Sequence, residues 1–480
     1  MNRGQCAGRS GNTVFYMKQV NVVSMIWSGL LSSERSPART GNINRVKRFG
    51  LSRTVEVFLL LITMGAFFNG NCRAQTADKQ GLHGKNHDFS AASEQNVTIR
   101  VLLSKENELC VDCTQGSYSF QEANRNQELL SGPAGQTSWV RRDKGTWQVA
   151  DAAGNHLLSV GNDSGDSLEI VASQSGLLLV GQNPPRPYRG KLRCVDISGP
   201  DSVNLFAVVN VVDLEEYLEG VVGAEMPSYW YSSALRAQAV ACRTYALYQM
   251  HQSTGSKNWD VSNTQTSQVY GGVAAEHSRV KEAVSQTRGV VLAHGTQGQE
   301  KIFPAYYSSA CGGHTSDASA VFGERLPPLA GGPCRYCGIL APQEYNRWPT
   351  WTISKDVLSE RLQGRYPLLG GLNNIIDIRV TGRSEYGRVE KIELTGSGGQ
   401  KFQVDAESFR LAVSTQQKPL LSSWYELTDD GDTWRFENGH GWGHGVGMCQ
   451  YGSEQMARLG FDSVAILSYY YPQAVLLRAY

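Results

Sequence analysis

A chain of 480 residues in which 45 Lys and Arg face 44 Asp and Glu carries a formal charge of +1, so it has no electrostatic footprint for a nucleic-acid partner. With 41% hydrophobic and 19% charged residues it has material for a real core and is neither a coiled coil, a polytopic membrane protein nor a disordered chain. At roughly 150 residues per domain the length allows about three domains, and 51 glycines favour turns, strands and close backbone approaches over helix bundles.

The N-terminus reads as targeting. Residues 1–44 do not read as a signal n-region, and a start at Val46 would give a compact one. Lys47, Arg48 and Arg53 lead into an apolar run over 57–68, long enough for a signal and too short for a span of 18 or more residues. The exit Cys72-Arg73-Ala74 predicts cleavage before Gln75, with an uncleaved membrane anchor as the alternative, and Asn71 before Cys72 argues against a lipoprotein. The reading is a leader over 1–74, with the signal peptide at about 46–74, a polar linker over 75–95, and an exported protein of the periplasm or cell wall. Of ten cysteines, those beyond the leader are Cys110, Cys113, Cys194, Cys242, Cys311, Cys334, Cys337 and Cys449. Export permits disulfides among them, but eight cysteines allow 105 pairings.

From 96 to 209 short apolar stretches, at 97–103, 156–160, 167–171 and 176–180, alternate with Gly, Asn, Asp and Ser clusters. This spacing predicts antiparallel β structure. Helices begin at Asp213, where Asp213 and Glu216 make a start resembling a capping box. Leu214, Tyr217, Leu218, Val221 and Val222 then follow the stripe of a buried helix face, and Gly223 supplies a C-terminal stop. A second helix, capped by Ser232 or Ser233, covers 234–246 with alanines that permit tight packing; Gln238, Cys242 and Tyr245 share one face, Arg236 and Arg243 another. The whole is a mixed α/β (α+β) fold, with a β-rich part over 96–209 and a helical then mixed, glycine-rich part over 210–480.

Between these helices stands Glu225. Pro227 pushes Met226 out of helical geometry, so the carboxyl is held at a helix end, with Tyr229, Trp230 and Tyr231 close behind. Rings that strip its hydration would raise its pKa and make it a usable acid; the plain alternative is an exposed loop carboxylate. Farther on, 274–287 reads as a helix and 289–292 and 303–307 as strands. Gly439, Gly441, Gly443, Gly445 and Gly447 alternate with His440, Trp442, His444, Val446 and Met448, which predicts an extended segment with one bare face for a backbone or ligand. Short helices over 453–459 and 463–470 close the chain before Pro472.

The segments YLEGVVGAEMP (217–227) and ALRAQAVACRTYA (234–246), followed by SQVYGG (267–272), CGGHT (311–315) and GHGVGMCQYG (443–452), resemble in order the stage II sporulation protein D family, also called the SpoIID/LytB domain family, over about 97–480. The resemblance implies exported peptidoglycan remodelling. The sporulation member is a lytic transglycosylase that cuts glycan strands stripped of stem peptides through the glutamate of its E-M-P motif, here Glu225. Other members are amidase enhancers, so membership alone does not make an enzyme, and a cell-wall amidase is an expected partner beside the glycan strands. One carboxyl suffices for the implied chemistry. Ordinary glycosidases need a pair, whereas here the sugar's own C6 hydroxyl attacks, and one residue gives and then takes the proton. Gln238, Arg243, Tyr245, Gln268 and Tyr270 are substrate-positioning candidates by matching motif, with a structural salt bridge the alternative for Arg243. His444 and Tyr451 are further candidates, with ordering of the glycine-rich segment as theirs.

Catalysis of this kind requires no cofactor. Cys334-Arg335-Tyr336-Cys337 is a C-x-x-C knuckle, and with Cys311 and His314 it would make a closed Cys3His structural zinc site. Relatives with a metal or paired cysteines here favour this, although Ser308 stands where many carry a histidine, so no ligand set carries over intact. A disulfide is the rival, and Cys110 and Cys113 form a weaker pair.

Overall fold

The computed structural model describes residues 96–480 apart from 124–126, 162–166, 175, 200–201, 254–257, 367–368, 370–371 and 373; the leader, its apolar run, the cleavage site and the linker lie outside the described residues. The fold is mixed α+β with a β-rich N-terminal part.

Among the described residues, twelve strands lie between Thr98 and Asp213, from β1 (Thr98–Glu106) to β12 (Phe206–Asp213). They form two sheets that share a core of Leu109, Val111, Phe120, Val149, Ile170 and Leu192. The alternation of buried and partly exposed positions, as in Thr146–Asp151 and Lys191–Asp196, puts every second side chain into that core. β1 and β12 pair antiparallel from Thr98 opposite Asp213 to Glu106 opposite Phe206. The position-209 boundary therefore falls inside a strand, and β12 runs straight into the first helix.

That helix, α1 (Leu214–Glu225), begins as the sequence predicts: the Asp213 carboxylate accepts from the backbone N–H of Glu215 and Glu216, and all five residues of the apolar stripe are fully buried. Its end differs. Gly223 lies inside the helix, where a Cβ would stand 1.9 Å from the Ala275 carbonyl oxygen. The glycine admits the close approach of a neighbouring turn, and the stop comes from Met226, extended at φ −127° and ψ 144° ahead of Pro227.

The next helix, α2 (Ser232–Ser253), runs a further two turns past the predicted stretch, with its alanines buried. The segment predicted as one helix over 274–287 is two pieces, a 3-10 turn Gly272–Ala275 and α3 (Ser278–Gln286). Glu276 and His277 between them are extended, and His277 caps α3 by accepting from Arg279 N–H. Of 303–307 only Tyr307 is strand; it begins Tyr307–Ser308, paired parallel with Met448–Cys449.

A third core was not foreseen. Trp348, Leu358, Ile392, Leu394, Phe409 and Phe436 belong to a hydrophobic cluster wholly within 348–436. The chain then returns to the principal core, to which Val446, Met448, Cys449 and Tyr451 belong beside the stripe of α1. α4 (Gln450–Arg458) and α5 (Ser463–Tyr470) follow, and Val475–Arg478 pairs with Val290–His294.

Candidate active site

Glu225 is the last residue of α1, half-buried, with Val269 N–H donating to its Oε1 at 2.8 Å. Burial raises the carboxyl pKa to about 7, the Val269 N–H, Gln450 and Tyr307 offsetting part of the rise. An isolated carboxylate out of water favours its neutral form, so at neutrality this one stands near half protonation. The segments that crowd it come from widely separated parts of the chain.

Gln268 organises one side. Its Oε1 accepts from Tyr217 Oη at 3.2 Å and its Nε2 donates to Tyr307 Oη at 3.1 Å, linking the helix core to a hydroxyl that touches Glu225. Gln238 is fully buried, its Nε2 on Cys242 Sγ at 3.1 Å and its Oε1 without a hydrogen-bond partner among the described residues. Tyr245 packs its ring against Tyr306. Tyr306 stacks on Phe322 at 4.2 Å, and the His444 ring meets both edge-on. This group keeps partial exposure at Tyr306, Phe322 and His444. His444 accepts from Val446 N–H through Nδ1 at 3.0 Å, and burial lowers its pKa to about 4, so it is a neutral ring. Tyr451 lies edge-on to Trp230 and Tyr345.

Two candidates have their polar groups engaged within the core. Arg243 has no exposed surface; it makes a bidentate pair with Glu215, Nε and Nη2 each at 2.7 Å, and donates to the carbonyls of Val290 and Val284. Burial alone would raise Glu215, yet the guanidinium holds it below the ordinary carboxylate range. Tyr270 is buried against Tyr217 and Tyr188, its hydroxyl on Asn210 Oδ1 at 3.0 Å, and ties α1 to β12. The aromatic residues expected to dry Glu225 are also differently placed: Trp230 is buried, but Tyr229 and Tyr231 are more than half exposed.

Tyr307 and Gln450 were not singled out from the sequence. The available signal was Gln450 within the matched segment 443–452, a polar residue beginning a helix whose side chains are nearly all buried.

Ahead of the strand Met448–Cys449 the glycine-rich segment makes only isolated bridges, at Gly439, Trp442 and Val446. Gly441, Gly443, Gly445 and Gly447 have φ of 80°, 100°, 78° and 70°, so alternate residues are left-handed, which a side chain resists. Gly439 serves differently, its bare face covered by the Trp348 ring.

Three of the four residues of the expected metal site, Cys311, Cys334 and Cys337, come together, and the fourth, His314, does not. The Sγ atoms of Cys311, Cys334, Cys337 and Cys449 lie within 4.8 Å of one another, all buried. His314 stands apart, stacked on Tyr386 at 3.8 Å with Nδ1 at the Thr315 carbonyl. Cys334 N–H donates to Gly313 O, and His314–Thr315 pairs with Gly332–Pro333; that pairing is compatible with thiol convergence while the imidazole packs elsewhere. Cys449 arrives through its parallel pairing with Ser308. No disulfide joins any of the eight described cysteines, Cys110 and Cys113 included.

Residues 203–294, which hold Glu225, its helix and Val269, match the stage II sporulation protein family. An uncharacterized protein of Brachyspira hyodysenteriae is 34% identical over 383 residues, 79% of this chain and 93% of its own length. Stage II sporulation protein D of Bacillus subtilis is 26% identical over 57% of this chain and 78% of its own. The chain belongs to the stage II sporulation protein D family. Within it, the amidase enhancer of Bacillus subtilis is 29% identical over 54% of this chain but only 40% of that protein. Residues 342–447, nearly coincident with the third core, match a domain of unknown function. A cell-wall-related role accompanies this membership.

Proposed function

We propose that this SpoIID-family protein is an exported murein lytic transglycosylase that cleaves the MurNAc–GlcNAc bond of denuded glycan strands. The observation that carries the reading is Glu225: one carboxyl at a helix end, desolvated to a pKa of about 7 and fixed by a backbone N–H at one oxygen. With Oε1 so engaged, Oε2 is the oxygen to carry the proton. Neutral Glu225 protonates the glycosidic oxygen as the bond to MurNAc C1 breaks; the resulting carboxylate then takes the proton of the C6 hydroxyl, which closes on C1. The products are a free GlcNAc hydroxyl and a 1,6-anhydro-muramyl end, and the acid returns to its starting form. A pKa near the working pH suits a group that serves in both directions. Tyr307 and Gln450 would orient the carboxyl, and the partly exposed Tyr306, Phe322 and His444 rings offer apolar faces for sugar.

The protein incubated with denuded glycan should release anhydro-muramyl fragments detectable by mass spectrometry, at a rate that falls as pH rises through about 7 because the neutral acid starts the reaction. Glu225→Gln should abolish the fragments while leaving the circular dichroism spectrum unchanged; undiminished product would remove the assignment.

The relative named amidase enhancer favours a second reading, a glycan-binding module that stimulates a cell-wall amidase. On that reading the purified protein alone releases nothing, and the wild type and Glu225→Gln stimulate an added amidase equally.

A further inference from the structure

The four converging thiols lie outside the chemistry assigned to Glu225, and the structure offers a direct test of what they suit. A disulfide holds its sulfurs at about 2.05 Å, whereas a tetrahedral zinc with Zn–S bonds of about 2.3 Å spaces them by roughly 3.8 Å. Cys311 Sγ and Cys337 Sγ are 3.6 Å apart, and all four sulfurs fit within 4.8 Å. The set is closed, fully protein-derived and buried, and all-sulfur ligation is the donor chemistry of zinc or iron. Its surroundings are polar where a thiolate needs them: Cys311 N–H points at Cys449 Sγ at 3.3 Å, and the Tyr470 hydroxyl lies 3.2 Å from Cys334 Sγ. Such outer partners orient metal ligands and temper their charge.

From this we infer that Cys311, Cys334, Cys337 and Cys449 bind a single structural zinc ion, with no part for His314. The ion would join three pieces of chain: the turn after Tyr307–Ser308, the knuckle that opens the short helix Cys337–Leu340, and Cys449 at the N-cap of α4. Cys449 immediately precedes Gln450, so the metal would fix the entry of the helix whose first side chain meets Glu225. The site has no open coordination position and takes no part in proton transfer. The proposal stands whether or not the protein cleaves glycan.

The test uses the full chain purified without added zinc. Elemental analysis should give one zinc per chain, and a mercurial thiol reagent should release it. Unfolding in chelator without reductant should expose all four thiols. His314→Ala should retain the metal fully and Cys449→Ser should lose it; should that variant fail to fold, cobalt substitution of the wild type and of His314→Ala should give the same thiolate-to-metal charge-transfer spectrum. Chelation should lower the melting temperature, since the metal's binding energy contributes to folding. One iron in place of zinc, less than a tenth of an equivalent of metal, thiols missing from the count, or loss of metal on His314→Ala would each overturn the proposal.

Discussion

Glu225 owes its acidity to position rather than to a charged neighbour, and that has a measurable thermodynamic face. Its pKa is about 7 in the folded protein against an ordinary 4.5, so between those values the folded state binds more protons than the unfolded one. Stability contributed through this group is therefore greatest below about pH 4.5, falls as pH rises, and is fully lost above about 7. Glu225→Gln, which keeps an acceptor for Val269 N–H, should raise the unfolding free energy read from denaturant titration at pH 8, by at most about 3.4 kcal/mol, and leave it nearly unchanged at pH 4; a gain independent of pH would contradict burial as the cause. Arg243 gives the opposite case. Removing it as Arg243→Met strands the Glu215 carboxylate in the core and should cost about 3–5 kcal/mol, with part recovered by adding Glu215→Gln, while activity per folded molecule stays constant. Pro227 marked the helix end at Glu225 locally, and the resemblance of the E-M-P segment made that residue the catalytic candidate. The sequence could not show that Arg243 and Tyr270 are held within the core, since their partners Glu215 and Asn210 are met only in the folded chain.

Among the elements, glycine is informative in two ways that one letter of sequence does not distinguish. Gly223 and Gly220 are vacancies for other groups, the Ala275 carbonyl and the Tyr270 ring; the alternate glycines from Gly441 to Gly447 are backbone turns. In an open helix, Gly→Ala gains about 1 kcal/mol. Gly223→Ala should instead destabilise, because α1 must move off the turn Gly272–Ala275. Gly447→Ala should fail more severely, combining φ of 70° with a Cβ 2.0 Å from the Tyr306 carbonyl, whereas Gly431→Ala, equally left-handed but in open space, should cost only about 1–2 kcal/mol. Thermal melts of the three rank these contributions. The parity of the glycines was legible, and their bare sides do meet backbone, Ala310 at Gly441 and Tyr306 at Gly447; the alternating handedness was not, because period two is shared by a pleated strand and by a chain that alternates its handedness. The stripe and cap of α1 were legible for the converse reason, being set by neighbours within one or two turns.

Across the whole molecule the legible part is what repeats along the chain and the illegible part is what meets across it. The β-rich character of 96–209 follows from alternation alone. That Cys449 rather than His314 meets the other three thiols depends on a parallel pairing between Ser308 and Cys449, separated by the entire third core, and no spacing rule reaches that far. That core itself went unseen because its strands and helices carry only the pattern common to any mixed fold; its independence lies in which residues touch. Its position between the knuckle and the glycine-rich return makes the principal core discontinuous in sequence.

The burial of one carboxyl by segments from distant parts of the chain, which outweighs the opposing hydrogen bonds of Val269, Gln450 and Tyr307, couples chemistry to completion of the fold. In a chain that has not yet closed, Glu225 is hydrated and has the ordinary pKa of 4.5, so at pH 7 about one molecule in 300 holds the proton, against about half once folded. An immature or partly opened molecule is thus a poor proton donor even with every residue of the motif in place, and a wall-cutting activity in this protein would be self-limited to copies whose distant segments have met.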